Sequence, residues 1–318
     1  MAGGDAQNLR ELTVIRCFSE VLGRPSIRRD DHFFRIGGHS LLALQLIAKL
    51  EAEWGTEVPV RILFEHPTPL ALAACDFAPH REDGFLMVIR RGNGGPPLFL
   101  VPGGYGGENE LLVFAGLLAE IPVDRPVIGV RSRVLDNPEG PSPTLNSHAS
   151  KILMEMRNRQ PSGKLTIAGE CIAGVVAAEI ALLANAAGWE VDRLIILDTL
   201  VPTAGSYWKH RMLRDSPLAT LLKKFRNSSA QHPMDDLPAP VRSYYRLLLG
   251  WKHQALPFPL HLILSEEIRS RGDVIGSWSR LAVSEPIVHP VPGTHHSYIR
   301  DHAATAAVAL GAAISDSL

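Results

Sequence analysis

Hydrophobic residues in the first quarter of the chain recur at helical spacing. One amphipathic face of a first helix is formed by Leu9, Leu12, Ile15, Phe18 and Leu22. After polar loops, three more helices are predicted, at residues 40–53, 58–64 and 69–75. Four helices in so short a segment predict a small helical bundle.

From residue 85 the pattern changes to short apolar runs that alternate with helical stretches. The runs predict strands near residues 85–89, 97–101, 127–130, 165–168, 194–197, 262–264 and 286–291. Helices are predicted between them at residues 109–120, 146–159 and 175–183. Alternation of this kind predicts a mostly parallel sheet with helices on both faces, so the fold expected is a small helical domain followed by an α/β domain.

The domain boundary is placed at the short polar stretch around Pro79, which predicts a linker at residues 79–84. The helical domain is then residues 5–78 and the α/β domain residues 85–318. Between the strands at 194–197 and 262–264 lies an insertion, about residues 201–258, which is expected to form a lid. Its predicted helices are Tyr207–Leu213, Leu218–Phe225 and Val241–Trp251, and an apolar roof is expected from Tyr207, Trp208, Tyr244, Tyr245 and Trp251.

Composition and charge limit the classes of binding partner that are expected. The chain is 46% hydrophobic and 20% charged with a formal net charge of −1, so charge favours neither nucleic acid nor an anionic membrane. The sequence has no long apolar run and no basic-then-apolar N-terminus, which predicts a cytoplasmic protein without membrane contact. Cys17 and Cys75 are expected to be packing residues, and no histidine or cysteine spacing predicts a metal site.

The strand at 165–168 leads within a few residues into the helix at 175–183 through Gly169-Glu170-Cys171-Ile172-Ala173-Gly174. This stretch resembles the G-x-S-x-G nucleophile elbow of α/β-hydrolases, with cysteine in place of serine. A thiol held at a helix N-terminus has its thiolate favoured by the helix dipole. A buried packing cysteine in an ordinary turn is the alternative.

Two further candidates follow at strand ends. Asp198 ends one strand and His295 follows the last, which gives the chain order nucleophile, acid, histidine found in α/β-hydrolases. His295 would exchange a proton with Cys171, and Asp198 would fix the imidazole tautomer. Rival acids are Glu266 and Glu267, and the rival base is His296.

Two backbone N–H groups are predicted to bind an oxyanion. Ile172 directly follows Cys171, and Gly104 lies in the glycine-rich turn after the strand at 97–101. A phosphate-binding loop is the weaker interpretation of these glycines, because the GxxxxGK[ST] pattern is lacking. Glu170 has two interpretations, a solvent-facing turn residue or a contact to a charged substrate group, and the first is slightly favoured.

The helical domain contains Asp31-His32-Phe33-Phe34-Arg35-Ile36-Gly37-Gly38-His39-Ser40-Leu41. On its own, Ser40 would be interpreted as a helix N-cap. The string, however, resembles the D-x-F-F-x-x-G-G-H-S-L motif of the peptidyl carrier proteins of nonribosomal peptide synthetases. The resemblance implies a 4′-phosphopantetheine group attached covalently to Ser40.

Residues from about 85 to 315 resemble the type I thioesterase domain that ends such synthetases. The matching pieces are the Val101-Pro102-Gly103-Gly104 turn, the elbow, Leu197-Asp198-Thr199 and Gly293-Thr294-His295. The resemblance implies a terminal carrier–thioesterase unit in which a peptidyl thioester passes to Cys171 and is released, with Asp198 as acid and His295 as base. Implied partners are upstream condensation and adenylation domains and a phosphopantetheinyl transferase.

Cysteine at 171 departs from the usual serine. An acyl-cysteine keeps the activation of the incoming thioester, which suits closure of a strained ring, and some family members with this cysteine are associated with β-lactam or β-lactone release. Ring closure is therefore the expected outcome, with hydrolysis or macrocyclisation as alternatives. An inactive docking module and a general cysteine hydrolase resembling dienelactone hydrolases are further alternatives.

Overall fold

The structure is a computed structural model that describes residues 2–75, 84–104, 108–134, 142, 144–202 and 238–315. Most of the expected linker, residues 79–83, lies outside the described residues. So do residues 203–237 of the expected lid, with the predicted helices Tyr207–Leu213 and Leu218–Phe225.

The first domain contains four helices, α1 (Ala2–Leu22), α2 (Ser40–Trp54), α3 (Arg61–Glu65) and α4 (Pro69–Ala74). They surround a core that includes Phe18, Phe33, Leu46, Leu63 and Leu72, each fully buried. The Thr68 side chain accepts a hydrogen bond from the backbone of Ala71 and caps α4, whose first residue is Pro69.

The predicted buried face of α1 is confirmed at Phe18 but is wrong at its N-terminal end. Leu9 and Leu12 are 68% and 62% exposed, whereas the buried positions are Val14, Cys17, Phe18 and Val21. The helix carries two apolar stripes, and packing against α2 and α4 selects the second. Cys17 is 2% exposed within this core, as expected of a packing residue.

The second domain is built on a seven-stranded sheet. Its strands are β1 (Leu86–Arg90), β2 (Leu98–Val101), β3 (Val127–Val130), β4 (Leu165–Glu170), β5 (Val191–Leu197), β6 (Leu260–Ser265) and β7 (Ile287–Val291). Their order in the sheet is β1-β3-β2-β4-β5-β6-β7. The pair β1 and β3 is antiparallel and the other five pairs are parallel, as the alternating sequence pattern predicts.

Helices cover both faces of the sheet. They are α5 (Glu108–Leu111), α6 (Ala115–Glu120), α7 (Leu145–Arg159), α8 (Gly174–Ala186), α9 (Ala239–Leu249), α10 (Glu266–Arg269), α11 (Val274–Ser279) and α12 (Ala303–Ser315). Alternate residues of each central strand enter opposite layers: Ile167 and Ile196 pack with α7 and α8, whereas Ala168 and Ile195 pack with α6 and α12.

The predicted helix at 109–120 is broken by a 3₁₀ turn at Leu112–Phe114. The break lets adjacent residues enter different cores: Leu112 joins the helical domain, and Phe114 joins the sheet layer of α6 and α12. The helical domain thus packs directly on the α/β domain. Arg35 strengthens this contact by donating from Nε and Nη2 to the carbonyl oxygen of Ala119, at 3.1 and 3.0 Å.

Candidate active site

Cys171 lies directly after β4 and opens a 3₁₀ turn, Cys171–Ala173, that leads into α8. Its φ of +52° is in the left-handed region, which a side chain other than glycine adopts only when the surrounding structure imposes it. Small neighbours impose this turn: a Cβ on Gly169 would stand 2.7 Å from the Cα of Gly174 and from the Cβ of Ala177. The small residues of the sequence motif are therefore needed for the close approach of strand and helix.

His295 lies in the loop after β7 and joins two of the predicted residues. Its Nε2 is 3.2 Å from the Cys171 sulfur, and its Nδ1 is 2.8 Å from Oδ2 of Asp198. The side chain of His295 is 19% exposed, whereas that of Asp198 is fully buried. The three residues come from the ends of β4, β5 and β7, which all meet at one edge of the parallel sheet.

Asp198 is held by the end of the neighbouring strand. Its Oδ1 accepts a hydrogen bond from the backbone N–H of Ser265 at 2.6 Å, and its Oδ2 accepts one from the Ser265 hydroxyl at 2.8 Å. The Ser265 hydroxyl also accepts from the backbone of Ile268 and caps α10. Oδ2 can therefore bind one further partner, which is Nδ1 of His295.

The rival residues lie elsewhere. Glu267 accepts a hydrogen bond from the backbone N–H of His295 at 2.8 Å and pairs with Arg271, so it supports the histidine loop rather than the imidazole ring. Glu266 and His296 are exposed. Asp198 and His295 are therefore the acid and the imidazole that the structure brings to Cys171.

The ionisation of Cys171 and His295 is coupled, because the two side chains share a hydrogen bond. Burial and the nearby Glu170 raise the pKa of the Cys171 thiol, and His295 and the Ile172 backbone N–H offset only part of this rise. Burial lowers the pKa of His295, but Cys171 and Asp198 outweigh it, and the pKa stands well above the usual 6.5. The site thus favours an imidazolium beside the sulfur.

The turn after β2 lies directly against Cys171. A Cβ on Gly103 would stand 2.9 Å from the carbonyl oxygen of Glu170. Of the two predicted oxyanion donors, the Ile172 N–H faces the Cys171 sulfur, and Gly104 lies in the turn with the Glu110 side chain against its Cα. Both belong to the edge of the site that the sequence predicts.

The favoured interpretation of Glu170 as a solvent-facing residue is wrong. Its Oε2 accepts a hydrogen bond from the backbone N–H of Gly103 at 3.0 Å. One carboxylate oxygen lies within 4.8 Å of both the Cys171 sulfur and a ring nitrogen of His295. The strand register turns this side chain into the site, where burial raises the pKa of its carboxyl group.

These three residues also form the group of potential metal ligands found in the described part of the chain. The imidazole is already bonded at both nitrogens, to Cys171 and to Asp198. Proton transfer is therefore the chemistry that we derive for Glu170, Cys171 and His295.

Two buried tyrosines lie at the site. Tyr244 of α9 is 3% exposed, and burial, with further contributions from Glu110 and Cys171, raises its pKa. Tyr298 is fully buried and stacks on His295 with ring centroids 6.4 Å apart. Trp251 instead packs into the core and donates from its indole to Glu179 of α8. Tyr207 and Trp208 lie outside the described residues.

Ser40 is the first residue of α2 and is partly exposed. The N-cap position belongs to His39, whose side chain makes no capping hydrogen bond. The Ser40 hydroxyl is therefore not used as the N-cap, and the helix N-terminus behind it suits a phosphate. These features fit a covalently attached 4′-phosphopantetheine group.

Sequence reasoning missed Ser265 and Tyr298, and it considered Glu267 only as a rival acid and Gly103 only as part of the turn. Ser265 and Glu267 follow a predicted strand, but their partners depend on how β6 aligns with β5 and β7, which the sequence pattern does not reveal. Tyr298 lies three residues after His295, a spacing that could have suggested a shared face. In the described part of the chain, no helix combines the length and the apolar character needed to cross a membrane.

Comparison with protein families gives two matches. Residues 13–75 match the phosphopantetheine attachment site, and residues 96–312 match the thioesterase domain. The second match covers more than half of the chain.

Curated relatives include a probable non-canonical nonribosomal peptide synthetase of Salinispora arenicola, 36% identical over 57% of this chain, and a dimodular nonribosomal peptide synthase of Bacillus subtilis, 34% identical over 57%. An indigoidine synthase of Dickeya dadantii is 30% identical over 69% of this chain. The chain spans only 2%, 8% and 14% of these three relatives, respectively.

Among solved structures, a four-domain nonribosomal peptide synthetase in its holo form aligns over 97% of this chain and 26% of its own, with a TM-score of 0.57 and 24% identity. The NocB thioesterase domain, in covalent complex with a fluorophosphonate nocardicin G analog, aligns over 71% of this chain and 96% of its own, with a TM-score of 0.56 and 21% identity. At these identities the likeness shows the fold, a carrier domain followed by an α/β-hydrolase domain. The chain belongs to the thioesterase domain family and carries a phosphopantetheine attachment domain ahead of the thioesterase, a pairing typical of the C-terminal units of nonribosomal peptide synthetases.

Proposed function

We propose that this chain is the terminal carrier–thioesterase unit of a nonribosomal peptide synthetase, and that it releases a peptidyl thioester through Cys171. The single observation that carries the proposal is the hydrogen-bonded series from the Cys171 sulfur through His295 to the buried Asp198. A thiol, an imidazole and a carboxylate in this geometry are the parts of an acyl-transfer site.

The proposed units are a carrier at residues 5–78, a linker at 79–84 and a thioesterase at 85–318 with a lid at about 201–258. Ser40 is the proposed attachment residue of the carrier. The phosphopantetheine arm supplies an acyl group activated as a thioester. The proposed partners are upstream condensation and adenylation domains and a phosphopantetheinyl transferase. The relatives, most of whose length lies outside the match, support upstream synthetase domains.

In the proposed acylation, the Cys171 thiolate attacks the acyl carbonyl. His295 holds the thiol proton as imidazolium and gives it to the departing thiolate. The Ile172 N–H, already directed at the sulfur, and the Gly104 N–H stabilise the oxyanion. Asp198 keeps the imidazole in the correct tautomer and stabilises its cation.

We further propose that the acyl-Cys171 is released by an internal nucleophile, giving a small strained ring such as a β-lactam or β-lactone. Exchange of one thioester for another conserves the activation of the acyl group, whereas a serine ester would lose part of it.

The test uses holo protein that carries a peptidyl thioester on the arm at Ser40. Intact mass spectrometry and product analysis compare the wild type with Cys171→Ala and Cys171→Ser. We expect acyl transfer and cyclic product in the wild type and an acyl group retained on Ser40 in the alanine variant. The serine variant should release acyl groups more slowly and shift the product towards free acid.

If the wild type released only free acid, its reaction would be hydrolysis and not ring closure. Release of a large cyclic peptide would indicate macrocyclisation. An acyl group that never leaves Ser40 in the wild type would instead indicate a carrier module whose hydrolase domain is inactive.

A further inference from the structure

Glu170 lies beside the reacting sulfur without belonging to the Cys171–His295–Asp198 series. Its carboxylate lies next to the turn after β2 and accepts a hydrogen bond from the Gly103 N–H at 3.0 Å. The same side chain lies within 4.8 Å of both the Cys171 sulfur and a His295 ring nitrogen.

Fixing the Gly103 turn does not by itself require a carboxylate. A neutral amide oxygen accepts one backbone N–H equally well, and it avoids the cost of burying an ionisable group near Cys171 and Asp198. Burial and the Asp198 charge both raise the pKa of Glu170, and the Gly103 bond and His295 oppose them. The net effect raises the pKa of Glu170, and a carboxyl group with a raised pKa beside the reacting sulfur is suited to accepting a proton.

We propose that Glu170 is a catalytic base for deacylation: it takes the proton from the nucleophile that attacks the acyl-Cys171. This inference rests on the proposed function, because it needs an acyl group on Cys171. His295 transfers the proton during acylation, and Glu170 accepts the proton of the nucleophile during release.

The attacking nucleophile is an N–H group, an O–H group or water. It forms a bond to the acyl carbon, and its proton passes to the Glu170 carboxylate. The bond between the acyl carbon and the Cys171 sulfur breaks, and the thiolate leaves without needing a proton. The Glu170 carboxyl then gives its proton to neutral His295, which restores the imidazolium–thiolate pair.

The position of Glu170 suits a nucleophile carried within the acyl chain. His295 is fixed by Asp198 and by its backbone bond to Glu267, so it serves one direction of approach. A nucleophile four or five atoms along the chain approaches from a direction set by the ring that is forming. Glu170 is a second acceptor near the sulfur, and it widens the directions from which the proton can be taken.

Four groups face Glu170 and set its titration. His295 favours the carboxylate, Cys171 and Asp198 disfavour it when charged, and Tyr298 lies close enough for its own pKa to be raised by Glu170. Acylation removes the negative charge of Cys171 and the positive charge of His295, which has given its proton to the leaving thiolate, so burial and Asp198 keep the pKa of Glu170 raised in the acyl-enzyme.

The test separates acylation from deacylation in the full chain. A phosphopantetheinyl transferase transfers the phenylacetyl-phosphopantetheine arm of phenylacetyl-CoA to Ser40. Intact mass measurement with peptide mapping then follows the phenylacetyl group to Cys171 and from there to water or added glycinamide. Glu170→Gln keeps the size and the acceptor for Gly103 but not the base. We expect its deacylation to slow by roughly 100-fold or more, with a far smaller effect on acylation.

Glu170→Ala is the companion variant, because it loses the Gly103 acceptor as well as the base. Deacylation in the wild type should rise with pH through a pKa above the usual range of a glutamate, and this rise should vanish in Glu170→Gln. Equal acyl-Cys171 lifetimes in the wild type and Glu170→Gln, with a defect only in Glu170→Ala, would assign the residue a structural role and overturn the inference. Absence of any acyl-Cys171 in the wild type would instead overturn the proposed function.

Discussion

Asp198 orients the imidazole of His295 from a fully buried position. Ser265 donates to both of its oxygens, so the carboxylate cannot rotate away from His295. The φ of Asp198, +51°, lies in the left-handed region, as does that of Cys171, and the two strained residues end adjacent strands. Strain at both positions fits a site in which the fold fixes side-chain geometry at some cost to stability.

We expect Asp198→Asn to slow acylation of Cys171 by roughly 10³-fold or more. The amide can still accept from the Ser265 N–H, but its NH₂ group meets Nδ1 of His295 and moves the imidazole proton to the nitrogen that faces the sulfur. The measurement is single-turnover transfer from Ser40. Asp192→Asn, which removes a carboxylate at the far end of β5, is the matched control and should transfer at the wild-type rate. Equal rates in both variants would remove Asp198 from the mechanism.

His295→Ala tests the coupling between sulfur and imidazole. Because the nearby His295 lowers the pKa of the Cys171 thiol, its loss should raise that pKa. Alkylation of Cys171 by iodoacetamide at neutral pH should then slow by roughly tenfold or more, since the thiolate fraction falls. The exposed neighbour supplies the control His296→Ala, for which no change is expected. An unshifted alkylation profile in His295→Ala would contradict the assignment.

The turn from β4 to α8 depends on the absence of side chains. A Cβ on Gly174 would stand 2.8 Å from the Cβ of Thr199, whose hydroxyl donates to the carbonyl oxygen of Cys171. Gly169 meets the backbone of α8 at similar distances. The strand, the helix and Thr199 after β5 therefore form one close-packed unit under the sulfur.

Gly174→Ala should lower the free energy of unfolding by about 1–3 kcal/mol and slow acylation, because Thr199 must move. Chemical denaturation and single-turnover transfer measure the two effects. Gly116→Ala is the control, since a Cβ at this position of α6 meets only an ordinary contact, 3.6 Å from Ala303, and alanine favours a helix by up to about 1 kcal/mol. Comparable stability in the two variants would show that the turn tolerates the added Cβ.

The sequence predicted the elements of the site better than their orientations. Short apolar runs located all seven strands, and Cys171, Asp198 and His295 lie at strand ends as expected. The buried stripe of α1 was wrong at its N-terminal end, because choosing between two apolar stripes requires knowledge of the neighbouring helices. The direction of Glu170 was also wrong, because it depends on where the turn after β2 approaches β4.

The two domains meet through apolar and polar contacts. Leu112 and Ala115 of the α/β domain belong to the core cluster of the helical domain, and Arg35 binds the Ala119 carbonyl oxygen. The contact therefore joins the loop before α2 of the carrier to α6 of the α/β domain.

Arg35→Ala should weaken this contact by about 1 kcal/mol and slow transfer from Ser40 to Cys171 roughly fivefold. Acylation of Cys171 by free phenylacetyl-pantetheine, which bypasses the carrier, should be unchanged. Arg24→Ala removes another exposed arginine of the carrier and should affect neither reaction. If Arg35→Ala slowed both reactions equally, the contact would have no role in positioning the carrier.

The central claim is that the acyl group passes from Ser40 to the sulfur of Cys171. The most direct measurement is acid-quenched peptide mapping of the phenylacetyl-loaded holo protein over time. The phenylacetyl mass should leave the Ser40 peptide and appear on the Cys171 peptide in the wild type, and it should remain at Ser40 in His295→Ala. Release of phenylacetate from the wild type with no acyl group ever found on Cys171, and at the same rate in Cys171→Ala, would contradict the account.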